Sequence, residues 1–184
     1  MNMRYIAFLA IILLAGVAFA QPKLRKVQLS KELSVMLPPD FTPLTDDDIA
    51  RKYPASIKPL AVYTSPNGQV DFSVTQKRTQ FRERDLDMLR EFYKANLLET
   101  FSKVDFIRQE VTQIKGKNFI VFEFVSSVED ERGTSNLAPM RKYSIVQYAI
   151  TGNQLMIFTL HVPFMMKNDW QQPAREIMDS IVMK

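Results

Sequence analysis

The chain has 184 residues with no cysteine, 24 basic against 20 acidic side chains and a formal charge of +4. The missing thiols exclude disulfides, thiol catalysis and Cys-based zinc or iron–sulfur sites in one step. So small a charge excess gives no general case for nucleic acid, while 46% hydrophobic residues with thirteen Phe supply a core without disulfide staples.

The first twenty residues read as an export leader. Arg4 gives a positive start, Ile6–Val17 is an apolar run short for a membrane span, and Ala18-Phe19-Ala20 is a small-x-small cleavage site. An uncleaved anchor helix is the alternative, disfavoured by length and flanks. Cleavage after Ala20 leaves 164 residues beginning at Gln21, the length of one domain. No Cys follows that site, which excludes lipid attachment there. The expected organisation is a leader at 1–20, a flexible lead-in at 21–26 and a single domain at 27–184. The expected location is the periplasm or the medium, without stable membrane insertion after cleavage and without a nucleic-acid partner.

Val27-Gln28-Leu29 and Leu33-Ser34-Val35-Met36-Leu37 alternate around Ser30-Lys31-Glu32 and predict a small hairpin ending at Pro38-Pro39. Thr45-Asp46-Asp47-Asp48 reads as a capping box opening a short helix, with a cation site as the weaker alternative. Leu60–Thr64 and Val70–Thr75 flank Ser65-Pro66-Asn67-Gly68, a second hairpin. Lys77, Arg78, Arg82 and Arg84 form the densest basic segment, read either as a solvated loop or as a patch for an anion or acidic partner.

Asp85–Phe101 is the strongest helix, with Asp85 as N-cap and Leu86, Leu89, Phe92, Tyr93, Leu97 and Phe101 as an apolar stripe. Phe106–Ile114, Phe119–Val128, Met140–Thr151 and Gln154–Val162 follow as strands, the first two joined at Gly116-Lys117-Asn118. Glu129–Pro139 is a polar connection whose Glu129-Asp130-Glu131 lacks the ligand spacing of a calcium loop. A last helix is expected near Pro173–Met183, with Ala174, Ile177, Ile181 and Val182 buried and Trp170 packed over its entry.

The Tyr143–Val162 hairpin is the centre of this pattern. Pairing residues whose numbers sum to 304 puts Val146 opposite Phe158, Tyr148 opposite Met156 and Tyr143 opposite His161. It implies a three-residue Thr151-Gly152-Asn153 loop, whereas a sum of 305 leaves Gln147 opposite Phe158. The even sum is therefore expected. Both faces keep large apolar residues under either pairing, so layers are expected on both sides of the sheet.

Five glycines, at 16, 68, 116, 133 and 152, make neither a dinucleotide fingerprint nor a phosphate loop. One histidine cannot form H-E-x-x-H, and no G-x-S-x-G nucleophile elbow exists. His161 is expected to be a half-buried strand residue. No cofactor and no metal site is expected.

Leu37-Pro38-Pro39-Asp40-Phe41, then Val62–Gly68, then Val70-Asp71-Phe72-Ser73-Val74, lead into a helix, four strands and a closing helix. In this layout the chain resembles the Mog1/PsbP-like superfamily over nearly all of the length after the leader. Phe41 stands where a Trp often follows the first Pro in such domains. The resemblance implies an α+β fold, an α/β/α sandwich with a central antiparallel sheet of about six or seven strands flanked by helices. It also implies a role as a non-catalytic binding or accessory protein, as in extrinsic photosystem subunits and small exported bacterial proteins, and it carries over no functional residue.

The expected function is an exported, non-catalytic binding or accessory domain of the bacterial cell envelope, with an envelope protein or a small ligand as partner. The alternative is a carrier of a small apolar or anionic ligand between helix and sheet. Phe92, Tyr93, Tyr143 and His161 would line that site, with Arg78, Arg82 or Arg84 at its mouth. A hydrolase using His161 is the third reading.

Overall fold

The computed structural model describes residues 23–53, 57–128 and 140–184. The leader expected at 1–20, the start of the 21–26 lead-in and the Glu129–Pro139 connection with its acidic cluster lie outside the described residues.

The described elements run β1 (Arg25–Gln28), β2 (Leu33–Leu37), β3 (Thr42–Pro43), α1 (Asp46–Lys52), β4 (Ala61–Thr64) and β5 (Asp71–Arg78). Then come α2 (Leu86–Thr100), β6 (Lys103–Ile114), β7 (Lys117–Val128), β8 (Met140–Thr151), β9 (Gln154–Pro163), α3 (Lys167–Asp179) and β10 (Val182–Met183). Seven strands make one antiparallel sheet in the order β3-β4-β5-β9-β8-β7-β6, and β1-β2-β10 make a smaller one. The fold is an α+β sandwich. The β8–β9 hairpin lies inside the large sheet, β9 pairing with β5 and β8 with β7.

Side chains alternate across a strand, so β7 and β8 each feed two cores. Ile120, Phe122, Phe124, Val146, Tyr148 and Ile150 pack under Leu86, Leu89 and Tyr93 of α2. Phe119, Val121, Tyr143, Ile145 and Ala149 face the other way, toward Ala174, Ile177 and Met178 of α3 and Val27, Leu33 and Val35 of the small sheet. Both faces are covered. Near-continuous apolar strands follow from that double burial.

The β8–β9 register corrects the sequence expectation. Partners sum to 305: Tyr143 faces Val162, Ser144 faces His161 and Gln147 faces Phe158. The loop is the two-residue Gly152-Asn153, with Gly152 at φ +58° and Asn153 at negative φ. Those signs match a type II′ turn, whose twist suits the flanking strands. Because both faces are buried, a slip changes which apolar rows meet rather than exposing one, so the turn and the Ser144–His161 pair decide. The disfavoured feature is real: Gln147 is fully buried, and both atoms of its amide lack a partner among the described residues.

The β6–β7 turn is also displaced by one step. Lys115 (φ +48°) and Gly116 (φ +86°) form it, and Lys117 and Asn118 already pair with Ile114 and Gln113. Two positive φ values are the type I′ pattern.

In α2 the burial follows Leu86, Leu89 and Tyr93, while Phe92 is 54% exposed. At about 100° per residue Phe92 points well away from Tyr93, which breaks the expected stripe at that position. The last helix begins at Lys167 rather than near Pro173, so Pro173 sits inside it and Trp170 lies in its first turn. Proline removes the N–H that the Asp169 carbonyl would accept. Burial of Ala174, Ile177 and Met178, and packing of Trp170 on Phe41 at 5.8 Å, offset that loss. Beyond the helix, Val182 and Met183 pair with Ser34 and Leu33 of β2 as a strand.

Candidate functional site

One end of the large sheet carries a polar row on the α2 side. In neighbouring strands, Asp71 of β5 is the register partner of His161 in β9, and His161 is the partner of Ser144 in β8. Register partners on adjacent strands share a face, so these three side chains stand side by side. Lys142, two residues before Ser144, stands on the same face one step further out.

Local chemistry sets the frame around this row. Thr45 caps α1: its hydroxyl accepts from the Asp48 N–H at 3.2 Å and donates to the Asp48 carboxylate at 2.6 Å. That hydroxyl bond, then Arg51, holds the Asp48 carboxyl below its usual range. The capped helix delivers Lys52 and Tyr53 to Asp71. Lys52 Nζ donates to Asp71 Oδ1 at 2.8 Å and lies 2.7 Å from Oδ2, and the Tyr53 hydroxyl donates to Oδ2 at 2.8 Å. Lys52 also reaches the Gly68 carbonyl at 3.1 Å. Gly68 adopts φ +68° to close the Ser65–Gly68 turn, a conformation that costs glycine little. Lys52, Tyr53, Gly68, Gln69, Asp71, Lys142, His161 and Val162 line a cleft of about 440 Å³.

The imidazole is held neutral. Burial first, and then the Lys142 ammonium, push His161 down to about 4, against the opposing pull of Asp71. His161 Nδ1 lies 2.7 Å from Ser144 Oγ. The Ser144 hydroxyl thus engages Nδ1, as donor or acceptor according to the tautomer, and Nε2 has no partner among the described residues. Burial raises the Tyr53 phenol, and the Asp71 charge and hydrogen bond raise it further, so it stays a protonated donor.

Ser144, His161 and Asp71 form a row of triad residue types. The Ser144 hydroxyl belongs to a side chain only 1% exposed, and Asp71 is engaged by Lys52 and Tyr53. The backbone amides beside Ser144 lie within the β7–β8–β9 ladder instead of forming an oxyanion hole.

The other residues singled out from the sequence do not join this cleft. Tyr93 stacks on Tyr148 at 4.1 Å beneath α2, and Phe92 faces solvent. Tyr143 is on the opposite face, where its hydroxyl donates to Glu123 at 3.0 Å. Lys77 sits over the Tyr93 ring at 5.7 Å. Arg78 lies at the far end of β5 opposite Gln154. Arg82 lines a separate open cleft with Glu83, Ile150, Gly152 and Asn153. Arg84 is 3.8 Å from Asp85 and largely exposed.

A second polar cluster escaped sequence reasoning. Glu123 is fully buried on the α3 side, where Arg175 donates from Nε and Nη2 at 2.9 Å and Gln171 donates at 2.9 Å. Burial pushes the Glu123 carboxyl up, and the bonds from Arg175, Gln171 and Tyr143 more than offset it, so the net shift is downward. Its sequence signal is a lone carboxylate inside the apolar run Phe119–Val125.

No protein-family model matches the chain, and no curated protein matches it. Solved structures do. Cyanobacterial PsbP (CyanoP) from Synechocystis aligns at a TM-score of 0.62 and 11% identity, over 91% of this chain and 96% of that chain. The Saccharomyces cerevisiae Ran-binding protein Mog1p aligns at 0.57 and 15% identity, over 89% of this chain and 96% of that one. LpqN, involved in cell envelope biogenesis of Mycobacterium tuberculosis, aligns at 0.53 and 10% identity, over 88% and 91% respectively. The chain has the Mog1/PsbP-like fold, and identities this low show the fold alone.

Proposed function

We propose that the protein is an exported, non-catalytic binding or accessory domain of the bacterial cell envelope that engages its partner at the Lys142–His161 cleft. The observation that carries this reading is the state of the polar row. Ser144, Asp71, Lys52 and Tyr53 spend their polar groups on one another and on His161, which leaves a preorganised surface and no activated nucleophile. The leader pattern at 1–20 supports export. The fold likeness to a Ran-binding protein and to a protein of cell envelope biogenesis supports binding and the envelope by analogy. Arg78, Arg82 and Arg84 are available as a second, solvent-facing contact for an acidic partner.

Expression with the native leader, followed by fractionation and mass measurement, is expected to yield a periplasmic chain beginning at Gln21. Crosslinked capture from an envelope fraction is expected to retain a defined partner with the wild-type chain and to lose it with Lys142→Glu. Equal capture by both chains, or turnover on a hydrolase substrate panel that His161→Ala abolishes, would overturn the reading.

A further inference from the structure

Within the cleft, acceptors and donors are unevenly used. Asp71 supplies the carboxylate, and its oxygens are occupied by Lys52 Nζ and the Tyr53 hydroxyl. Lys52 Nζ is saturated in turn by Asp71 and the Gly68 carbonyl. The Gln69 side-chain oxygen accepts from Asn67 at 3.1 Å, which leaves its Nε2 uncommitted. The Lys142 ammonium has no carboxylate within ion-pair distance among the described residues. His161 lines the cleft with Nδ1 engaged by Ser144 at 2.7 Å, which leaves Nε2 as the ring nitrogen open to a ligand. The groups left to meet a ligand are one full positive charge, one imidazole nitrogen and one amide N–H₂.

We infer that this cleft is a binding site for a small oxyanion, a phosphate or carboxylate group held between Lys142 Nζ and His161 Nε2–H. The inference rests on the binding reading above and gives the chemistry of what is bound. A carboxylate or phosphate oxygen accepts several hydrogen bonds at once, which suits a donor set converging from two neighbouring strands. With Asp71 and Lys52 neutralising each other, Lys142 sets the sign of the cleft. The partly buried imidazole adds a directional donor with no conformational freedom to lose. Among the described residues the one carboxylate lining the cleft, Asp71, is already paired with Lys52, which disfavours a cation there.

Because His161 is the only histidine, its ring nitrogens give an unambiguous NMR signal. The exported chain, purified after secretion, would be titrated with inorganic phosphate and separately with acetate, with sodium chloride at matched ionic strength as control. A saturable shift of the His161 Nε2 resonance is expected with at least one oxyanion and not with chloride. Lys142→Gln is expected to weaken that binding about tenfold, and Lys31→Gln, an exposed lysine in the β1–β2 turn, to leave it unchanged. The imidazole titration is expected to move up by about one pH unit when the oxyanion is bound. The phosphate and acetate arms distinguish a phosphate-bearing from a carboxylate-bearing partner. A shift that follows ionic strength alone, or equal binding by Lys142→Gln, overturns the oxyanion site and leaves the protein-binding reading to its own capture test.

Discussion

His161 links the candidate site to stability through its proton. The ordinary value is 6.5, and the folded protein lowers it to about 4. Between those limits the unfolded chain binds a proton that the native chain does not, so stability rises with pH across that window. The contribution is complete above about pH 6.5 and is lost progressively toward pH 4. From pH 7 to pH 5 the loss amounts to about 2 kcal/mol, at 1.36 kcal/mol per unit. Urea unfolding of the wild-type chain should show that slope, and His161→Gln should flatten it. Equal slopes in the two proteins would mean that the ring is not neutral in the fold. Glu123 behaves as a paired carboxylate. Its lowered value gives stability that is present above the unfolded carboxylate range and lost as pH falls through the folded value. Removing one partner strands a buried charge, so Arg175→Met is expected to cost about 3–5 kcal/mol. The double replacement Glu123→Leu with Arg175→Met is expected to recover most of that in a double-mutant cycle. Additive losses would show that Glu123 and Arg175 are not coupled.

At the level of elements, what the sequence disclosed depended on whether one face or two are buried. The α1 cap, the β1–β2 and β4–β5 hairpins and the core of α2 were legible, because each has a local signal: Thr45 with Asp48, Ser30-Lys31-Glu32 between alternating strands, Ser65-Pro66-Asn67-Gly68, and Leu86, Leu89 and Tyr93 at helical spacing. The β8–β9 register was not. With both faces apolar, hydrophobic alternation loses its power to choose, and the two-residue Gly152-Asn153 turn fixes the pairing instead. The Ser144–His161–Asp71 row was hidden for the same reason, since it exists only in that register. The residue that argued against the true register, Gln147, should then be a measurable liability. An amide buried without a partner costs about 1–3 kcal/mol, so Gln147→Met should raise the urea midpoint with an unchanged slope. A lower midpoint would indicate that the amide is satisfied, as by an internal water.

For the molecule as a whole, the strand order decides which parts open first. The hairpin at the centre of the sequence pattern is also the centre of the sheet, because β9 is clamped between β5 and β8 and β8 between β9 and β7. Both of its faces are sealed, by α2 on one side and by α3 with the small sheet on the other. At the margins, β3 has two residues and pairs only with β4, and β6 has a bulge between Phe106 and Arg108 with Ile107 42% exposed. Bulges and short strands are the usual protection of sheet edges. Native-state hydrogen exchange is expected to rank the amides accordingly: β8 and β9 exchange only through global unfolding, β5 and β7 next, and β3 and β6 through local opening. That ranking bears on the cleft. Ser144 and His161 stand on the two most protected strands, whereas Lys52 and Tyr53 arrive on the end of a seven-residue helix. The His161 ring is thus held by the central strands of the sheet, and Lys52 and Tyr53 join the cleft through their bonds to Asp71. Added phosphate, bound to the native state at Lys142 of β8 and His161 of β9, should slow exchange of the globally protected β8 and β9 amides by the binding free energy. Unchanged exchange in β8 and β9 at saturating phosphate would show that the anion does not bind the native cleft.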